Sequence, residues 1–175
     1  GAGKSTVAAM MARQNPTLRL AWLSLDAEDN DPNSFLVALI IALQTAVAQV
    51  PPLGAWVLSA LLAGSVGTQD VIRYMGGVVN DLLESDESPI VLVLDDLHLM
   101  TEPRVTTALD FLLERMPPHL HVLATTRYDP ALSLARLRAR GELGEFRLKS
   151  LQFSAEETHR FLNEQLGLGL TSAEL

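Results

Sequence analysis

Hydrophobic and polar positions fall into blocks whose period changes along the chain. Val7, Met10 and Met11 recur at helical spacing, which predicts a helix from Lys4 to about Arg13, stopped by Asn15-Pro16. Leu18 to Leu25 (LRLAWLSL) reads as a buried strand leaving at Asp26. Asp31-Pro32 then looks like an N-cap followed by proline at the first helical position. Helices are expected over 32–49, 53–64 and 69–85, broken by Pro51-Pro52 and by the Gly64/Gly67 region. Ile90 to Leu94 is an aliphatic run that suits a parallel strand covered on both faces. A helix over 103–115 follows, with Pro103 near its start and Pro117-Pro118 after its end. Leu120 to Thr125 predicts another buried strand, ending at Thr126-Arg127. A short strand near Phe146–Leu148 and a helix from Ser154 complete the pattern, with Glu157 closing a capping box on Ser154. Strands alternating with helices mean an α/β fold with a parallel sheet.

Composition narrows the class. The 175 residues, 48% of them hydrophobic, suit one domain with a packed core and exclude disorder. Two apolar stretches resemble membrane segments, Phe35–Leu43 and Leu53–Val66. Both fall short of the roughly 18–20 residues a bilayer span needs. Their surroundings are also wrong, with twelve acidic residues and a single Arg73 as base between Leu20 and Pro103. Buried helices are the better account, and no membrane is expected as a partner. The absence of cysteine removes disulfides, thiolate metal sites and cysteine nucleophiles. The net charge of −8 argues against these residues binding nucleic acid themselves.

The chemistry gathers at three places. Gly1-Ala2-Gly3-Lys4-Ser5-Thr6 is the tail of the phosphate-binding loop G-x-x-x-x-G-K-[ST], aligned on Gly3. Glycines let backbone N–H groups turn inward around phosphates, and the following helix adds the positive end of its dipole. Lys4 would reach the terminal phosphates, and the Ser5 hydroxyl would ligate Mg²⁺. Gly1 stands at the fourth position of the motif, so its first residues and the strand leading into it are expected upstream. The second place is Ile90–Asp96, an aliphatic strand ending in two carboxylates. Asp95 is the choice for holding Mg²⁺ through its water shell, and Asp96 for orienting the attacking water. Capping of a strand exit is the plainer alternative. The third place is Thr125-Thr126-Arg127, where Arg127 reports on a γ-phosphate, is an ordinary surface arginine, or is a partner for Asp129. Thr125 and Thr126 carry no sharper reading than polar strand-end residues.

Other candidates have bland readings. His98 reads as a hydrogen-bonded structural residue before it reads as an acid–base group. Trp22 suits the core better than an adenine platform. Asp26, Glu28, Asp29 and Asp31 lack the glycine and terminal glutamate of a calcium loop, and read as a solvated turn and helix cap. Arg136, Arg138, Arg140, Arg147 and Lys149 form the basic region, either a solvated loop or a phosphate or interdomain contact.

Taken in order, these pieces resemble a known family. Gly1–Thr6, Ala21–Asp26 with Asp29-Asn30-Asp31-Pro32, Val93–Leu99, Thr125–Arg127, Leu137–Leu143 and Phe153–Glu157 match the ATPase domain of the large ATP-binding LuxR-type transcriptional regulators. These are regulators of the maltose-activator type, members of the signal-transducing (STAND) class of P-loop ATPases. The resemblance covers essentially the whole chain. It implies a P-loop fold of the additional-strand type, here lacking its N-terminal P-loop strand, over residues 1–151. Residues 152–175 would begin a following helical region. ATP or ADP would bind at Gly1, Ala2, Gly3, Lys4, Ser5 and Thr6, with Mg²⁺ at Ser5 and Asp95. Asp96 would assist slow hydrolysis and Arg127 would sense the γ-phosphate. The resemblance further implies a bacterial cytoplasmic switch that self-associates with ATP and works with other domains of a parent protein. DNA would be bound only through a C-terminal helix-turn-helix absent from these residues.

Two rival classes stand beside this expectation. A small-molecule kinase or energy-coupling ATPase would use the same loop, although no Leu-Ser-Gly-Gly-Gln stretch and no arginine-rich lid between the motifs is present. A degenerate scaffold would use the fold only for protein contacts, against which stand Lys4, Ser5 and both carboxylates.

Overall fold

The computed structural model describes residues 4–15, 17–63, 70–86, 88–147, 154–165, 167 and 169–171. In chain order its elements are α1 (Lys4–Gln14), β1 (Arg19–Ser24), α2 (Pro32–Ala46), α3 (Ala55–Leu62), α4 (Val71–Glu84), β2 (Ile90–Asp95), α5 (Pro103–Arg115), β3 (Leu120–Ala124), α6 (Leu134–Arg140) and α7 (Ala155–His159). The strands form one parallel sheet in the order β1-β2-β3. Ser24 pairs with Asp95, and Leu94 with Ala124, so all three strands end at one edge.

Side-chain alternation along β2 divides the core into two layers. Ile90, Leu92 and Leu94 point into the main cluster with Phe35, Leu39, Tyr74 and Leu112, which brings α2, α4 and α5 onto that face. Val91 and Val93 point the other way, against Met11 of α1, Leu18, Leu20, Trp22 and Leu123. Every residue of β2 except Asp95 is buried. The expected strand of continuous aliphatics, covered on both faces, is what forms.

The helix boundaries follow local chemistry. Asp31 caps α2, its side chain accepting from the backbone N–H groups of Asn33 and Ser34 at 3.1 and 2.9 Å, with Pro32 at the first helical position. The helix expected over 32–49 ends earlier, at Ala46, where Val47 turns extended and buries its side chain in the core. The helix expected from residue 53 starts later, because Gly54 takes a left-handed conformation (φ 69°) and donates its N–H to Asp81. A Cβ there would stand 2.7 Å from the Ile40 side chain, so glycine is required twice over. Ser154 and Glu157 form the expected capping box of α7.

Two expectations are corrected. Arg136, Arg138 and Arg140, for which a solvated loop is one of the two expected readings, lie instead on a helix, Leu134–Arg140, closed by Gly141 in the left-handed region. The short strand near Phe146 is not found: Phe146 and Arg147 belong to no strand, and Leu148 lies outside the described residues. The proposed boundary after residue 151 also lies outside them. No helix among the described residues is long and apolar enough to cross a membrane.

The cap of α2 can be checked directly. Asp31→Ala should cost about 1 kcal/mol. For a domain of this size that lowers the melting temperature by roughly 2–4 °C, readable by circular dichroism.

Candidate functional site

The edge where the strands end is held together by hydrogen bonds between the three loops that leave it. The ladder continues past the strands: Leu25 N–H donates to Asp95 O, Thr125 N–H to Leu94 O, and Leu97 N–H to Thr125 O, all at 2.9–3.0 Å. Asn30 joins the loop after β1 to the loop after β2, donating to Leu99 O at 2.7 Å and accepting from Thr101 and Glu102 N–H at 2.8 and 3.0 Å. Tyr128 joins the loop after β3 to the same segment, its hydroxyl donating to His98 O at 2.9 Å.

Both carboxylates of the expected pair sit at this edge, and one side chain engages both residues. The buried Thr125 hydroxyl donates to Asp95 Oδ1 at 2.5 Å and accepts the Asp96 N–H at 3.0 Å. The register explains the meeting, since Leu94 pairs with Ala124 and each strand's next residue continues the match. Asp96 itself has φ 59°, a left-handed conformation that aspartate tolerates better than most residues. That reversal starts the 3₁₀ turn Leu97–Leu99 and folds His98 back beside Asp96.

His98 departs from the bland reading. Its ring is buried, packed edge-on against Tyr128 with centroids 5.5 Å apart. Its Nδ1 has no hydrogen-bond partner and lies 3.7 Å from Asp96 Oδ1, outside hydrogen-bonding distance. It is therefore not the hydrogen-bonded structural histidine that sequence alone suggests.

The remaining candidates sort themselves. Gly1, Ala2 and Gly3 lie outside the described residues. Lys4 and Ser5 open α1, and their side chains are not among those described, while Thr6 is exposed. Arg127 is exposed at the strand-end loop. Asp129 is engaged by Arg147 at 2.5 Å rather than by Arg127, which removes the Asp129-pair alternative and leaves that of an ordinary surface arginine standing. Trp22 is half-buried in the minor layer, its indole N–H bonded to Ser24 Oγ at 3.0 Å, as a core residue. In the acidic cluster Asp29 accepts from Asp26 N–H and Asp26 from Glu28 N–H, the predicted turn and cap.

The basic region is a neutralised surface. Arg136 pairs with Glu114, Arg138 with Glu145, and Arg147 with both Asp129 and Glu145, while Lys149 lies outside the described residues. Hydrogen bonds from Arg138 and then Arg147 hold the Glu145 carboxyl below its ordinary pKa, and the Arg147 bond does the same for Asp129. Lowered carboxylate pKa values mean these pairs persist at neutral pH and are lost as pH falls through the lowered values. Exposed as they are, they add little to stability. Among the described residues, no group of three or more His, Asp or Glu is placed to hold a metal ion.

Comparison with known proteins adds a second line. The chain is 31% identical over 170 residues to the HTH-type transcriptional regulator MalT of Vibrio cholerae, covering 97% of the chain and 18% of that protein. It is 30% identical over 174 residues to MalT of Yersinia enterocolitica, covering 99% of the chain and 18% of the relative. The chain is a MalT-like domain. The same MalT-like domain is 31% identical over 177 residues to the serine/threonine-protein kinase PknK of Mycobacterium tuberculosis, covering all of the chain and 15% of the kinase. It thus spans less than a fifth of the length of these relatives. No family model matches it.

Thr125 is the residue that sequence reading undervalued in the MalT-like domain. Thr125→Val removes the hydroxyl from both carboxylate-bearing residues and should destabilise by about 1–3 kcal/mol in urea unfolding, while Thr125→Ser keeps most of that stability.

Proposed function

We propose that the domain is an ATP-binding, slowly hydrolysing switch in a LuxR-type transcriptional regulator. The observation that carries this reading is the buried β2 strand delivering Asp95 and Asp96 to Thr125 at the carboxyl edge of a parallel sheet. Ligands of open α/β sheets bind at that edge. The topology of α1 supports the same location for Gly1–Thr6. The helix packs Met11 on the sheet and enters β1 through a short turn, so it runs opposite to the strands, with its N-terminus toward their carboxyl ends.

The donor set fits a nucleotide and Mg²⁺. Magnesium is usually bound by one or two carboxylates together with substrate phosphates and waters, rather than by a dedicated protein cage. Ser5 and Asp95 would hold it, and the bound ion would neutralise phosphate charge. Lys4 and the backbone of Gly1–Thr6 bind the phosphates in this reading. Asp96 orients water whose oxygen bonds to the γ-phosphorus as the bond to the β-phosphate oxygen breaks, giving ADP and phosphate. Arg127 meets the γ-phosphate, so its loop distinguishes ATP from ADP.

Among the described strands β3 pairs only with β2, and its other edge suits the P-loop strand expected upstream. With that strand in place the order would be the additional-strand arrangement, in which β3 stands between the P-loop strand and β2. Residues 1–151 form the P-loop core in this reading, and α7 begins the next helical region. Self-association with ATP, DNA binding through a distant helix-turn-helix, and a bacterial cytoplasmic setting belong to the whole protein.

The test is nucleotide binding by the complete protein that its gene encodes. Isothermal calorimetry with ATP and Mg²⁺ should show binding that Lys4→Ala abolishes. Unchanged binding in that variant would sink the assignment.

A further inference from the structure

A buried polar atom without a partner costs about 1–3 kcal/mol relative to an apolar group in the same place. Native proteins keep few such atoms, so each one needs a reason. Among the described residues that can be judged, His98 Nδ1 is the buried side-chain polar atom left without a hydrogen bond. It faces the carboxylate of Asp96 across 3.7 Å.

The surroundings keep the ring at that station. Tyr128 packs edge-on against the imidazole and bonds the His98 carbonyl, fixing the residue from ring and backbone together. The left-handed turn at Asp96 and the 3₁₀ turn after it bring the two side chains together, although they are only two residues apart in sequence. Asp96 by contrast is half-exposed, and its side chain is the freer member of the pair. Its backbone N–H is held by Thr125, so the carboxylate turns about a fixed point. The 3.7 Å between Oδ1 and Nδ1 exceeds the outer hydrogen-bonding distance by only about 0.5 Å.

We propose that His98 is a positioning residue for Asp96. The imidazole is held unpartnered so that it can take the Asp96 carboxylate and aim it at the water that attacks the γ-phosphate. The proposal rests on the hydrolytic role given to Asp96 above. It differs from a structural role in the sign of its effect on stability. A histidine kept for packing or hydrogen bonding is missed when replaced. One kept unpaired for function is a burden on the fold, relieved by an apolar residue of similar size.

The experiment uses the complete protein and three variants: His98→Leu, His98→Asn and Asp96→Asn. Asparagine is chosen at position 98 because its amide N–H₂ stands near the place of Nδ1, and at 96 because it tolerates the left-handed turn. ATP turnover, ATP affinity and melting temperature are measured on each. His98→Leu should lower turnover roughly tenfold, leave ATP affinity within about twofold, and keep or raise the melting temperature. His98→Asn should recover most of the lost turnover. In the Asp96→Asn background, His98→Leu should change turnover by less than about twofold, since the residue it acts through is already disabled.

A fall in melting temperature that accompanies the loss of turnover would overturn the proposal in favour of a structural histidine. So would full turnover in His98→Leu, or an undiminished effect in the Asp96→Asn background. Should the wild-type protein bind no ATP, the nucleotide reading itself fails. Should it bind and hydrolyse ATP with His98→Leu unaffected, only the role of His98 falls.

Discussion

The centre of this fold is a strand that must be dry on both faces and wet at its end. Ile90 to Leu94 are buried between two layers, and nothing ionised could sit among them without a partner. The chain therefore places its first charges where β2 leaves the sheet. Because β1 and β3 run parallel to β2, their loops leave at the same edge. Burial of one strand thus decides where polar chemistry gathers, and Thr125, Asn30 and Tyr128 then lock the three loops around it.

That edge combines firm and loose parts. Asp95 is fixed through its side chain and Asp96 through its backbone, both by one hydroxyl. The Asp96 carboxylate and the His98 ring are left facing each other without a bond. A left-handed aspartate and an orphaned imidazole are each small departures from the most stable choice, and they are neighbours. Such departures collect where function holds groups in positions that stability alone would not select.

What was legible in the sequence was what local pattern determines. The aliphatic run of β2 and its terminal carboxylates, the Asp31 cap and the Ser154–Glu157 box are all written in consecutive residues, and all four form as expected. Helix α6 was missed because LARLRAR buries only Leu137, so its periodicity is drowned by charge. Its Arg136, Arg138 and Arg140 pair with Glu114, Glu145 and Glu142, partners outside the helix itself. Thr125 was undervalued for a related reason: its contact with Asp95 spans thirty residues and depends on the β2–β3 register. The position of His98 was equally hidden, since it follows from the left-handed turn at Asp96, which no side-chain pattern announces.

The relatives show the same domain in proteins named for different outputs, transcriptional regulation and protein phosphorylation. A module that senses nucleotide and passes its state to whatever is attached would serve both. A crystal structure of the complete protein with Mg²⁺ and a non-hydrolysable ATP analogue tests that account most directly. It should show the triphosphate wrapped by Gly1–Thr6 at the carboxyl edge of the sheet, with its terminal phosphate facing Asp96 and Arg127. A nucleotide bound at the opposite edge, or one making no contact with Lys4 and Asp95, would contradict it.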